Sequence, residues 1–179
     1  MTFLKTEIDG VYIIEPTVFR DNRGYFFESY NKAAFESAGL EYDFIQDNQS
    51  RSAYGTIRGL HFQKGEFAQA KLVRCVEGCV LDVAVDLREG SKTFGKHVAV
   101  ELSADNFRQL LIPRGFAHGF SVLSEEAVFA YKCDNVYNKA SEVGVNFADP
   151  FLGIDWKIPS DKAILSEKDK VLPMLRDLT

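Results

Sequence analysis

The chain has 179 residues, 46% hydrophobic and 26% charged, with a formal net charge of −5. That length lets one domain bury roughly 70% of its unfolded surface around one core, and no apolar run reaches the length of a membrane span. The acidic balance speaks against a sequence-independent nucleic-acid binder, which needs a basic face to displace counterions. The opening MTFLKTEIDG lacks the apolar stretch of a secretory signal, and Cys75, Cys79 and Cys133 are an odd, widely spaced set that makes a poor disulfide framework. A cytoplasmic protein with no membrane or nucleic-acid partner is expected.

Period-two alternation with β-branched and aromatic enrichment runs from Val11 to Phe147. In chain order VYIIEPTVF, YFFESY, DFIQDNQS, TIRGLHFQ, AKLVRCVEG, VLDVAVDL, KHVAVEL, RQLLIP, FAHGFSVL and AVFAYKC read as strands. Turns fall at Asn22–Gly24, Gly78, Glu89–Ser91 and Pro113–Gly115. A short helix over Asn31–Ala38 stops at Gly39, and another begins near Ser166. Many short strands without repeat or linker predict an all-β fold, one double-sheet jelly-roll barrel over residues 1–179 with short flanking helices.

Only His61, His97 and His118 can serve as ordinary general bases near neutral pH. His97 lies in KHVAVEL and reads as a surface strand residue. His61 and His118 each end a glycine-bearing segment, GTIRGLH and PRGFAH, where a bend can bring a side chain into a cavity; the alternative is a packed, hydrogen-bonded core histidine. The spacing of these segments resembles the paired motifs of the cupin superfamily, whose metal-binding members place a second histidine two positions after the first. Here that position is Gln63, an amide and a poor ligand for zinc or iron, so the site is expected to hold no metal.

FRDNRGYFFES, FIQDNQSRS, IRGLHFQ, AQAKLVR, VLDVAVDLR, PRGFAHGF and LSEKD, in this order along the chain, closely resemble the dTDP-4-dehydrorhamnose 3,5-epimerase family. The resemblance implies a jelly-roll homodimer that converts dTDP-4-dehydro-6-deoxy-D-glucose to dTDP-4-dehydro-L-rhamnose without a cofactor. Inverting a carbon beside a ketone requires a base on one face, an acid on the other and a donor that holds the enolate oxygen. By the resemblance His61 is the base, Asp169 the carboxylate that orients it, Tyr131 the acid, and Lys71 and His118 the groups at the C4 oxygen. Read without it, Ser166 to Asp169 fits a helix capping box, Tyr131 is strand packing with Tyr137 as its competitor, and Lys71 is a solvated strand residue.

The resemblance further implies that Arg23 and Arg58 contact the pyrophosphate or sugar, as suits an arginine fork. Glu28, Gln46, Asp47 and Asn48 take thymidine-binding positions, Glu142 and Lys168 further contacts, and Phe26 or Tyr137 stacks on the base. Strict alternation would put Arg58 and His61 on opposite faces of their strand, and a bulge at Gly59 would bring them together. Other readings are a relative that inverts only C3 or only C5, a non-catalytic sugar-binding barrel, and a metal-dependent cupin oxygenase.

Overall fold

The structure is a computed structural model describing residues 1–178. Its strands are β1 (Thr2–Lys5), β2 (Tyr12–Glu15), β3 (Phe19–Asp21), β4 (Gly24–Phe26), β5 (Gln46–Ala53), β6 (Ile57–Gln63), β7 (Lys71–Glu77), β8 (Cys79–Asp86), β9 (His97–Ser103), β10 (Gln109–Ile112), β11 (Phe116–Val122), β12 (Glu126–Cys133) and β13 (Glu142–Gly144). The helices are α1 (Lys32–Ser37) and α2 (Glu167–Lys170). Asn31 caps α1 by accepting from the Ala34 amide, and Gly39, with φ of +76°, turns the chain away beyond its end.

One sheet runs β1-β2-β10-β7-β12-β5 and the other β13-β6-β11-β8-β9, while β3 and β4 form a separate hairpin. The fold is the all-β jelly roll expected. The segment VYIIEPTVF is not one strand: β2 ends at Glu15, and Pro16, which has no N–H to give a ladder, separates it from β3. β1 and β13 carry too little alternation to stand out in the sequence and exist because β2 and β6 offer them free edges.

The two sheets face each other across an apolar core that includes Val73, Leu110 and Phe129 from one sheet and Ala84, Val100 and Phe120 from the other. Phe129 and Phe120 stack with ring centroids 4.2 Å apart, and burying a phenylalanine of this kind contributes about 2–3 kcal/mol. β11 is buried at every position and β8 at all but Cys79. Their outer faces, among them Leu81, Val83, Val85 and Ala117, lie beneath Val145, Leu152, Trp156 and Leu175 of the C-terminal segment. Phe35 of α1, with Leu40, covers the outer face of the six-stranded sheet at Ile14, Leu72 and Leu111.

The bulge is present. In the pairing of β6 with β11, His118 stands opposite His61 and Phe120 opposite Arg58, so three steps along β6 match two along β11. Ile57, Leu60 and Phe62 therefore pack under the C-terminal segment, while Arg58 and His61 share the inner face. Gly59 makes this possible: φ is +128°, and a Cβ there would stand 2.5 Å from Gly119 Cα and 2.7 Å from the His118 carbonyl oxygen.

Gly59→Ala should therefore cost roughly 2–4 kcal/mol in denaturant unfolding, combining backbone strain with a clash against backbone. Gly24→Ala carries comparable strain, with φ of +131° but nothing within 4 Å of the new Cβ, and should cost about 1–2 kcal/mol. Equal midpoints for the two variants would show that the close approach to Gly119 carries no weight.

Candidate active site

A cavity of about 600 Å³ opens between the sheets. The five-stranded sheet contributes Arg58, His61 and His118, the six-stranded sheet Ser52, Lys71 and Tyr131, and α2 with its N-cap contributes Ser166, Lys168 and Asp169. An adjoining space of about 310 Å³ shares His61, Lys71 and Tyr131 and adds Gln46, Asn48, Tyr137 and Glu142.

His61 Nε2 lies 2.6 Å from Asp169 Oδ1, and the Asp169 side chain is only 4% exposed. With the carboxylate oxygen accepting, Nε2–H donates and the lone pair of the neutral ring sits on Nδ1. Both sequence readings of Asp169 hold at once: its backbone N–H is capped by Ser166 Oγ at 3.1 Å, while its side chain turns to His61. Burial pushes the imidazole below its ordinary range, an effect that Asp169 opposes but does not cancel. His61 is therefore a neutral base near neutral pH.

A second histidine is held the same way. His118 Nε2 lies 2.8 Å from Asp82 Oδ1, and the ring stacks on Phe129 with an interplanar angle of 20°. Burial raises the Tyr131 phenol above its usual range, so it stays protonated, and lowers the Lys71 ammonium, whose charged form Cys133, Asp82 and Glu142 favour. Lys71 Nζ lies 5.9 Å from the centre of the Tyr131 ring.

Toward the mouth, Arg58 Nε donates to Ser52 Oγ at 3.0 Å, and Glu142 accepts from both Tyr137 Oη, at 3.0 Å, and Lys168 Nζ. Along β5 the residues alternate: Gln46 and Asn48 face the inner space, while Asp47 is exposed and pairs with Lys132 at 2.9 Å. Gln63 is spent on structure, its amide donating to the Phe67 and Val136 carbonyls and accepting from the Asn138 N–H. Among the described residues no group of three or more His, Cys, Asp or Glu side chains is placed to hold a metal ion.

The sequence model of the family described as dTDP-4-dehydrorhamnose 3,5-epimerase matches residues 5–177. The chain belongs to that family. It is 54% identical over 179 residues to the dTDP-4-dehydrorhamnose 3,5-epimerase of Escherichia coli, covering 99% of this chain and 96% of that one. The crystal structure of the enzyme of that name from Elizabethkingia anophelis superposes with a TM-score of 0.95 at 62% identity, covering 99% and 97% of the two chains. A dTDP-6-deoxy-D-glucose-3,5-epimerase from Legionella pneumophila, solved with dTDP-4-keto-L-rhamnose, also gives 0.95, at 46% identity and 99% and 94% coverage.

Of the residues the epimerase family leads one to expect, the cavity and its adjoining space bring together His61, Tyr131, Asp169, Lys71, Arg58, His118, Gln46, Asn48, Glu142 and Lys168. Arg23 and Phe26 are not among them; they lie on the exposed β3–β4 hairpin, where Phe26 is 66% exposed. Glu28 follows that hairpin and accepts from Asn31 Nδ2. Sequence reasoning missed Ser52, which nothing distinguishes from any strand serine, and Asp82, which carried a signal: a carboxylate at an inward position of the otherwise apolar run VLDVAV.

A proton NMR titration of the ring protons should place the His61 midpoint below 6.5. Asp169→Asn should move it lower still, because the lost carboxylate favours the imidazolium. A midpoint that rises in the variant would contradict this electrostatic account of the dyad.

Proposed function

We propose that this chain is a dTDP-4-dehydrorhamnose 3,5-epimerase that inverts C3 and C5 of dTDP-4-dehydro-6-deoxy-D-glucose. The observation that carries the reading is the His61–Asp169 dyad on one wall of the cavity facing Tyr131, on the opposite sheet, across it. His61 Nδ1 takes the proton from the carbon beside the C4 ketone, and Asp169 stabilises the imidazolium that forms. The electron pair moves onto the C4 oxygen, where Lys71 and His118 hold the enolate. Tyr131 Oη then delivers a proton to the opposite face of that carbon, and the ketone re-forms inverted. C3 and C5 both flank C4, so one enolate-stabilising site serves both. The base, the acid and the donors are protein side chains, so no metal or cofactor enters the reaction.

The nucleotide lies toward the mouth. Arg58, oriented by Ser52, takes a phosphate, Gln46 and Asn48 meet the pyrimidine edge, and Tyr137 offers a ring to stack on. Arg23, Phe26 and Glu28 complete this end from a second subunit of a homodimer. The β3–β4 hairpin supports that reading, because Phe19, Tyr25 and Phe26 stand 62%, 55% and 66% exposed, an aromatic patch that association would cover. Both edges of β2 are taken, by β1 and β10, so a strand of the second subunit would add at an outermost strand of that sheet, β1 or β5. The free thiols Cys75, Cys79 and Cys133 suit a reducing cytoplasm, and no helix among the described residues is long and apolar enough to cross a membrane.

In heavy water the wild type should introduce deuterium at both C3 and C5 with inversion, read by proton NMR of the recovered sugar. Deuterium at one centre would make the enzyme a mono-epimerase, and none at either would leave a sugar-binding barrel. Tyr131→Phe should exchange faster than it inverts, because the enolate still forms and is reprotonated from the side it left, whereas His61→Ala should lose both by roughly 10²- to 10⁴-fold. Inversion by Tyr131→Phe at the wild-type rate would make Tyr131 packing and turn attention to Tyr137.

Light scattering at micromolar concentration should give about twice the 20.2 kDa chain mass. A persistent monomer would exclude the shared nucleotide site.

A further inference from the structure

Asp82 is 0% exposed, and among the described residues its Oδ2 is a fully buried side-chain oxygen with no hydrogen-bond partner. A native structure rarely leaves such an atom without a purpose. The opposite lack lies in the same cavity: Lys71 lines it together with His118 and makes no ion pair or hydrogen bond among the described residues, while the charges of Cys133, Asp82 and Glu142 favour its ammonium form. Asp82 Oδ1 meanwhile holds His118 Nε2. The ring face of His118 is set by Phe129, so the carboxylate fixes the remaining freedom, the rotation of the ring and which nitrogen bears the hydrogen. Nδ1 makes no hydrogen bond among the described residues and is the nitrogen left for the cavity that His118 lines.

We propose that Asp82 is a positioning residue of the reaction, a single buried carboxylate that orients His118 through Oδ1 and anchors Lys71 through Oδ2 across one water. It touches no substrate; it acts through the two groups that hold the C4 oxygen, and so rests on the function proposed above. The fold favours the arrangement, since Asp82 stands opposite Phe120 in the β8–β11 ladder, on the inner face and behind the cavity wall.

Asp82→Asn keeps the side-chain shape and removes the charge. Its kcat should fall roughly 10- to 100-fold, by analogy with the loss when the carboxylate behind a metal-ligating histidine is altered, while KM stays within about twofold because the nucleotide contacts are untouched. Deuterium exchange at C3 and C5 should fall by the same factor as inversion, since enolate formation itself is impaired. In a Lys71→Met background the same change should cost less than in the wild type, because part of its target is gone. A purely structural Asp82 would lower the unfolding midpoint and leave kcat alone; that result, or a rise in KM only, overturns the proposal. Should the variant not fold, ¹⁵N NMR of the wild type decides: His118 must carry its hydrogen on Nε2, and a spectrum with Nε2 bare overturns the proposal. The NMR arm needs no substrate, so a wild type without epimerase activity would sink the proposed function separately.

Discussion

The backbones of β6 and β11 meet at Gly59 and Gly119 more closely than any side chain would allow, and the site depends on that approach. With a Cβ at position 59 the two chains could not come within the observed distance, the extra residue in β6 could not be absorbed, and the strand would continue with Arg58 and His61 on opposite faces. The slip of one residue converts a strand that would split these side chains between the barrel interior and the layer under the C-terminal segment into one that sends both into a single cavity. It also frees Leu60 and Phe62 to pack beneath the C-terminal segment, the segment that brings Asp169 to His61. Close packing and catalytic geometry are thus two results of one local register change.

Polar chemistry inside a barrel carries a desolvation cost, and the chain meets it by pairing. His61 with Asp169 and His118 with Asp82 join two nearly or fully buried carboxylates to two rings, so each carboxylate loses water but gains a charge-assisted hydrogen bond. Burial then sorts the cavity groups in directions that suit proton transfer. It lowers His61, which leaves a neutral base, and raises Tyr131, which keeps a proton available.

The acidic net charge of the chain does not conflict with an anionic substrate. Lys71, Arg58 and Lys168 all line the cavity, so the positive potential is local, set by a few cations in a low-dielectric wall. Charge balance over the whole surface describes solubility and partners of bulk size; it says little about a pocket a few ångströms across.

Much of this protein was legible along the chain because local rules suffice for local features. Turn glycines, the helix start at Asn31, the strand alternation and the polar punctuation at Ser166 depend on φ and ψ and on hydrogen bonds a few residues away, and the ordered motifs named the family and most of the titratable side chains that line the cavity. The division of VYIIEPTVF at Pro16 was equally local and could have been read from the missing N–H. Short strands such as β1 and β13 were not legible, because their existence depends on a neighbour's free edge rather than on their own composition. Local rules could not bring Asp169 to a histidine 108 positions away, a pairing that only the family resemblance implied, nor could the sequence place Asp82 behind His118 or seat the exposed Arg23 hairpin away from its own chain's cavity. Those relations were decided only when the sheets packed, since register, facing and burial are properties of pairs of strands and not of any strand alone.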